Sequence, residues 1–174
     1  VQVAAVVRVC YQWGVPVVAR GRGTGTAGGS LPIHGGVVLS FERMNQVIKL
    51  DVANRWMRVQ AGVLNAQVQQ LAQTAQLFWP PDPSSAAFCT VGGNLATCAG
   101  GPRAVKYGVT RDHVLGLTAV TGKGAIIHTG GYTTKGVVGY DLTRLLIGSE
   151  GTLALITEAT LKLTPRPEAA CGVV

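Results

Sequence analysis

The apolar residues of this chain fall into short runs, and glycine-dense turns separate them. Val3, Val6, Val7 and Cys10 recur at helical spacing and predict an amphipathic helix ending at Gly14. The β-branched run at 15–19 reads as a buried strand, and 37–40 as a second. Residues 41–45 make a turn or short helix. Residues 47–51 and 56–61 predict a hairpin joined through Ala53-Asn54-Arg55. Over 64–76 the stripe Leu64, Val68, Leu71, Ala72 and Ala75, with glutamines opposite, predicts a helix. Three prolines hold 79–85 extended.

Gly92-Gly93-Asn94 reads as a tight turn opening a short helix at Leu95-Ala96, which Gly100-Gly101 closes. An exposed start of that helix would favour an anion. Residues 114–120 and 125–129 predict a second hairpin. Residues 142–147 predict a short helix capped by Asp141. Residues 153–157 and 159–164 complete an antiparallel run. The first half is mixed α/β, and the second is mostly antiparallel β.

Composition narrows the class. With 174 residues, 47% hydrophobic and 13% charged, the chain is one globular domain by length. No apolar run is long enough to span a bilayer. The chain opens on Val1-Gln2-Val3, with no initiator methionine, no basic leader and no cap before the first helix. It therefore reads as a piece cut from inside a larger protein. Net charge is +7, but the 15 Lys and Arg are scattered, which argues against nucleic acid and suits an anionic ligand. Cys10, Cys89, Cys98 and Cys171 fit no zinc or iron–sulfur spacing and read as free thiols. His34, His113 and His128 are far apart and make no metal site. Arg111 and His113 read as surface residues.

The candidate chemistry begins at Arg20-Gly21-Arg22-Gly23-Thr24-Gly25-Thr26-Ala27-Gly28-Gly29, where five of ten residues are glycine. A strand running into such a turn lets backbone N–H groups converge on a phosphate. A literal Gly-x-Gly-x-x-Gly occurs at Gly23, Gly25 and Gly28. The continuation Ser30-Leu31-Pro32-Ile33-His34-Gly35-Gly36 cannot open the long helix a dinucleotide βαβ unit needs. No Gly-Lys-Ser/Thr follows either, so the Walker reading fails. Gly148-Ser149-Glu150-Gly151-Thr152 forms a third glycine turn. Three such turns suit an extended ligand lying between two lobes.

Taken in order, these segments resemble a known family. Pro16-Val17-Val18-Ala19-Arg20-Gly21-Arg22-Gly23-Thr24-Gly25 is similar to the first pyrophosphate loop of the vanillyl-alcohol oxidase (PCMH-type) FAD-binding proteins. Pro81-Asp82-Pro83-Ser84-Ser85 with Thr90-Val91-Gly92-Gly93-Asn94-Leu95-Ala96 resembles their second segment. Residues 106–117 and 148–158 resemble two more. Order and spacing are close to glycolate oxidase flavoprotein subunits and to D-lactate and D-2-hydroxyglutarate dehydrogenases.

The resemblance implies an α+β, two-lobed fold. A small mixed α/β lobe would join a larger lobe built on an antiparallel sheet with flanking helices. Residues 1–174 would form one FAD-binding domain, with the substrate domain beyond it. Arg20, Gly21, Arg22, Gly23, Thr24, Gly25 and Thr26 would wrap the pyrophosphate of FAD, and Pro81 and Asp82 would lie beside the cofactor. Thr90, Gly92, Gly93 and Asn94 would contact the pyrophosphate and flavin side. Gly100, Gly101, Tyr107 and Gly108 would follow the ring. Val114 and Ile156 would line the adenosine end, with Glu150 and Gly151 nearby.

Covalent members carry histidine where this chain has Thr24, which implies noncovalent FAD. Relatives often carry asparagine at the position of Cys98, which implies a weaker contact near the ring. The implied chemistry is oxidation of a small 2-hydroxy acid by hydride transfer to FAD. The implied partners are other oxidase subunits, an iron–sulfur subunit among them. The implied location is cytoplasmic, peripheral to the inner membrane through those subunits. No residue of this chain has the spacing of a catalytic base. Two other readings stay open: the cofactor domain of an alcohol or aldonolactone oxidase, and a non-enzymatic nucleotide- or anion-binding module.

Overall fold

The computed structural model describes residues 1–169; Cys171 lies outside them. Helix α1 (Gln2–Gln12) buries Ala4, Val7 and Cys10. Ala4 is buried although the sequence stripe does not include it, while Val3 is only half-buried and Val6 stands at 36% exposure. Gly14, at φ 63°, adopts the left-handed conformation just beyond the helix end. Strand β1 (Val17–Arg20) then pairs in parallel with β2 (Val37–Ser40). The residues of β1 before Arg20 are half-buried, not buried, because this sheet has only two strands. Parallel neighbours need a long crossover, normally a helix. Here the connection from Gly21 to Gly36 contains none.

The larger lobe is a five-stranded antiparallel sheet in the order β3-β4-β8-β6-β7. Its strands are β3 (Val47–Asp51), β4 (Trp56–Gln60), β6 (Val114–Thr121), β7 (Ile126–Gly130) and β8 (Ala154–Lys162). Both predicted hairpins form. The two strands expected after residue 152 are instead the single strand β8. It pairs with β4 on one side and β6 on the other, so no turn is needed at Glu158. The small pair β5 (Leu77–Phe78) and β9 (Thr164–Pro165) ties the end of the described chain to the middle.

Helices α2 (Asn65–Thr74), α3 (Val91–Thr97) and α5 (Leu142–Leu146) contribute to the main core around Met57, Val68, Trp79, Leu95 and Leu161. A short helix α4 (Ala104–Tyr107) precedes a single 3-10 turn at Thr110–His113. In α2, Asn65 is buried with Val68 and Ala72, while Leu64, Leu71 and Ala75 are only partly covered. Asp141 caps α5, accepting from Arg144 N at 2.9 Å. A second, smaller core of Ala4, Val7, Phe41, Ala61, Val120 and Leu155 seats α1 and β1–β2 against the ends of β6 and β8. The two cores leave a cleft between the lobes.

Candidate functional site

β1 delivers the chain to Gly21, where a Cβ would overlap the Thr90 hydroxyl. The first glycine segment can lie this close to α3 only because it lacks that atom. From Gly21 to Ser30, no backbone N–H donates to any described protein group. Most of these residues are exposed, so their N–H groups go to water or to a ligand that displaces it. A run of unspent donors beside a cavity is therefore a ready site for an acceptor-rich ligand. The cavity is about 390 Å³ and is lined by Arg20, Gly21, Arg22, Gly23, Thr24, Gly25 and Thr26 on this side. The Arg20 guanidinium folds back over the loop, 3.0 Å from where a Gly23 Cβ would stand. Arg22 faces Glu42 at 3.8 Å, with both side chains about half exposed. Such a pair contributes little by itself.

The opposite wall is α3, and here the sequence expectation needs correcting. Gly92 and Gly93 are not a turn before the helix but lie inside its first turn, with Thr90 as N-cap. The start of α3 offers no free donor. Val91 N bonds Val63 O, Gly92 N bonds Ala61 O, Gly93 N bonds Thr90 Oγ1, and Asn94 N bonds Thr90 O. The glycines serve sterically: a Cβ on Gly92 would lie 2.8 Å from the Ala61 Cβ. Asn94 is buried and its amide donates to Asn65 Oδ1 at 3.1 Å. Thr90, Gly92, Gly93 and Asn94 all line the cavity. Helix α3 ends at Cys98 in the left-handed conformation, φ 49°. Asparagine tolerates that conformation better than cysteine does.

The third glycine turn closes the cavity with Glu150, Gly151 and Ile156. Most of its donors are spent: Gly148 N on Leu95 O and Glu150 N on Ala96 O, both at 2.9 Å, with Gly151 N alone in the turn making no bond to a described protein group. The turn thus docks on carbonyls of α3. Glu150 adopts φ 51°, an uncommon conformation for a non-glycine residue. Its carboxylate reaches towards the first loop, 3.0 Å from where a Gly29 Cβ would be.

The remaining expected residues gather elsewhere. Asp82 accepts from Arg103 N at 3.1 Å, and a Gly101 Cβ would overlap the Asp82 carbonyl. Tyr107 meets Phe78 edge-on at 5.2 Å. Pro81, Asp82, Gly100, Gly101, Tyr107 and Gly108 therefore belong to a neighbouring knot outside the cavity lining. Val114 opens β6 and packs on the main core, away from the cavity. Sequence reasoning missed Phe41 and Ala61 in the lining, and named Ala96 and Leu155 only within motif segments. It named Ser84 and Ser85 only as motif residues. The missed residues carry no chemical signal; they line the cavity because strand ends and α3 converge there. Among the described residues no group of three or more His, Cys, Asp or Glu side chains could hold a metal.

His113 and Arg111 are not free surface residues. The His113 ring is buried, with Nε2 2.8 Å from the Tyr107 carbonyl and Nδ1 without a partner. A carbonyl only accepts, so Nε2 carries the proton. Burial holds the His113 pKa below the usual histidine value, opposed by the Tyr107 hydrogen bond and by Asp112, and reinforced by Lys162. The unfolded chain therefore binds this proton first. Stability is expected to hold above pH ~6.5 and to fall as pH drops from there through the lowered folded value. Urea midpoints measured from pH 7.5 to 5 check this; in H113Q the slope across that window should flatten.

The comparisons with known proteins agree with this geometry. The chain is 48% identical over 167 residues to the glycolate oxidase subunit GlcD of Bacillus subtilis (strain 168), covering 96% of this chain and 36% of that protein. It is 46% identical to a D-lactate dehydrogenase of Anaerostipes hadrus, covering 99% and 36%. It is 42% identical to a D-2-hydroxyglutarate dehydrogenase of Xanthomonas citri pv. viticola, covering 95% and 35%. This chain thus spans about a third of the length of these relatives. Among solved structures, an alkyldihydroxyacetonephosphate synthase superposes with a TM-score of 0.81 at 28% identity, over 97% of this chain and 33% of that one. The model of the FAD binding domain family matches residues 1–130, three-quarters of the chain, and the chain belongs to that family.

Proposed function

We propose that this chain is the cofactor-holding domain of an FAD-dependent dehydrogenase or oxidase of small 2-hydroxy acids such as glycolate or D-lactate. The observation that carries the reading is the run of N–H groups from Gly21 to Ser30 without described protein partners, on a loop that lines a cavity. It suits a pyrophosphate, which is rich in acceptors and carries no donor of its own. The walls also fit together closely, since Gly21 and Gly92 have no Cβ to push the loop off Thr90 or α3 off Ala61. Arg20 and Arg22 add positive charge along the loop. The wall formed by Thr90, Gly92, Gly93 and Asn94 would press on the ligand without donating from its backbone. Glu150 would accept from hydroxyl groups rather than face phosphate.

Bound FAD supplies a two-electron acceptor for oxidising the 2-hydroxy acid to the 2-oxo acid. The groups that hold the substrate carboxylate and take its hydroxyl proton are assigned to a domain beyond residue 174. Pro81, Asp82, Gly100, Gly101, Tyr107 and Gly108 would lie on the ring side, next to that domain. Thr24, which lines the cavity, forms no covalent bond to flavin, and noncovalent attachment belongs to the same proposal. Among the described residues no helix is long and apolar enough to cross a membrane. Partner oxidase subunits, an iron–sulfur subunit among them, and peripheral attachment at the cytoplasmic side of the inner membrane belong to the same proposal.

The test is a visible absorption spectrum of the purified protein after incubation with FAD and desalting. Flavin bands should be retained and then released by denaturation. Absence of both retained absorbance and quenching of FAD fluorescence would overturn the cofactor assignment here. A chain extended to the length of the relatives and loaded with FAD should bleach anaerobically on adding glycolate or D-lactate. No bleaching with any 2-hydroxy acid would overturn the substrate assignment and leave the cofactor assignment intact.

A further inference from the structure

The Thr110–His113 turn supplies no residue to the cavity lining, yet its residues grip segments that lie behind it. Thr110 is fully buried, and both its N–H and its hydroxyl donate to the Ala99 carbonyl, at 3.1 and 2.7 Å. Ala99 lines the cavity. Asp112 accepts from Val109 N at 3.0 Å and meets Arg144 of α5 at 3.2 Å. Arg111 reaches furthest: its Nη2 donates to the Ile147 carbonyl at 2.8 Å, at the end of α5. A Cβ on Gly148 would stand 2.9 Å from the same nitrogen. The glycine there leaves room for the guanidinium directly beneath the third turn.

We infer that Arg111 is a positioning residue for that site and acts through Glu150. The inference rests on the FAD reading above. The route is short. Arg111 fixes Ile147, the last residue before Gly148. The turn then runs to Glu150, whose left-handed backbone aims its carboxylate across the cavity towards Gly29. Arg111 also keeps its Nε buried without a partner. Such a group is costly in a protein interior. A shorter apolar side chain would avoid that cost but could not reach the Ile147 carbonyl. The unpartnered Nε is therefore the expense of holding the turn from below.

The first readout needs no ligand. In R111A the Ser149 and Glu150 amides should exchange with deuterium at least tenfold faster, while β8 amides keep their rates. The second readout is FAD affinity. R111A and E150A should each raise the dissociation constant about tenfold, and the double variant should match either single one, because both cut one chain of contacts. R111K should recover part of the loss. V68A, which removes core packing in α2, serves as the control for lost stability: it should lower the melting temperature without changing FAD affinity.

Unchanged exchange at Ser149 and Glu150 in R111A would overturn the inference. So would multiplicative losses in the double variant. If the wild type binds no FAD, the cofactor reading fails, and the exchange rates still decide the role of Arg111.

Discussion

Replacing Gly21 by alanine is expected to weaken FAD binding about 100-fold, equivalent to about 2.8 kcal/mol. The added methyl would occupy the space of the Thr90 hydroxyl. Two relaxations are open, and both damage the site. If Thr90 rotates away, α3 loses its N-cap bond to Gly93 N, at a cost of about 1 kcal/mol. Gly92 and Gly93 already make this a poor helix, so its first turn would loosen. If the loop moves instead, the row of donors from Gly21 to Ser30 shifts off the ligand. G122A is the control, since a Cβ there meets nothing within 4 Å in the β6–β7 turn. Fluorescence titration with FAD measures both variants. A G21A protein that binds within threefold of wild type would show that the loop and α3 are not in the contact described.

Replacing Trp79 by alanine is expected to cost about 3–5 kcal/mol, a large share of the 5–15 kcal/mol typical of a domain. Trp79 is the largest fully buried side chain, at 0% exposure in the main core. Its backbone is clasped by Gln69 of α2, whose Nε2 donates to the Trp79 carbonyl and whose Oε1 accepts from Trp79 N. The residue thus anchors the extended segment that leads to Pro83, Ser84 and Ser85 at the cavity. With a urea slope of about 1–3 kcal/mol/M, the unfolding midpoint should drop by more than 1 M. W79F should cost less than about 2 kcal/mol. The indole Nε1 is buried without a partner, and losing it offsets part of the lost packing. Equal losses in the two variants would show that ring packing is not what Trp79 contributes.

What was legible in the sequence was local. Asn54 between two β runs announced the β3–β4 hairpin, and its N–H and side chain do bond Asp51. Asp141 before Leu142 announced a cap. Pro32 and the glycines of 30–36 excluded a helix after the first loop, and that exclusion separated this fold from a dinucleotide βαβ unit. The family motifs, read in order, carried the two-lobed α+β architecture. What was hidden depended on partners distant in sequence. Gly92-Gly93 looks like a turn, and only the approach of Ala61 and the Thr90 cap make it helical. Thr157 and Ala159 look like the ends of two strands until β4 and β6 are seen on either side of β8. The fate of each backbone donor was equally hidden. Three glycine turns look alike as sequence, but among them the run of unspent donors lies in the first. Arg111 and His113 read as solvated residues because the carbonyls that hold them belong to Ile147 and Tyr107.

The placement of β8 at the centre of the sheet bears on how the chain folds as it is made. The β3–β4 and β6–β7 hairpins are local and can close early. Each then presents an inner edge with unpaired backbone groups, and the strand that fills both is the last of this sheet to be synthesised. Until Lys162 has left the ribosome, the two hairpins have no common neighbour and the main core lacks Ala159 and Leu161. Nascent chains shorter than this expose two open edges at once, the condition in which strands pair with the wrong partner. The completion of β8 is therefore the step at which the larger lobe commits to its native sheet, and the site between the lobes can form only after it.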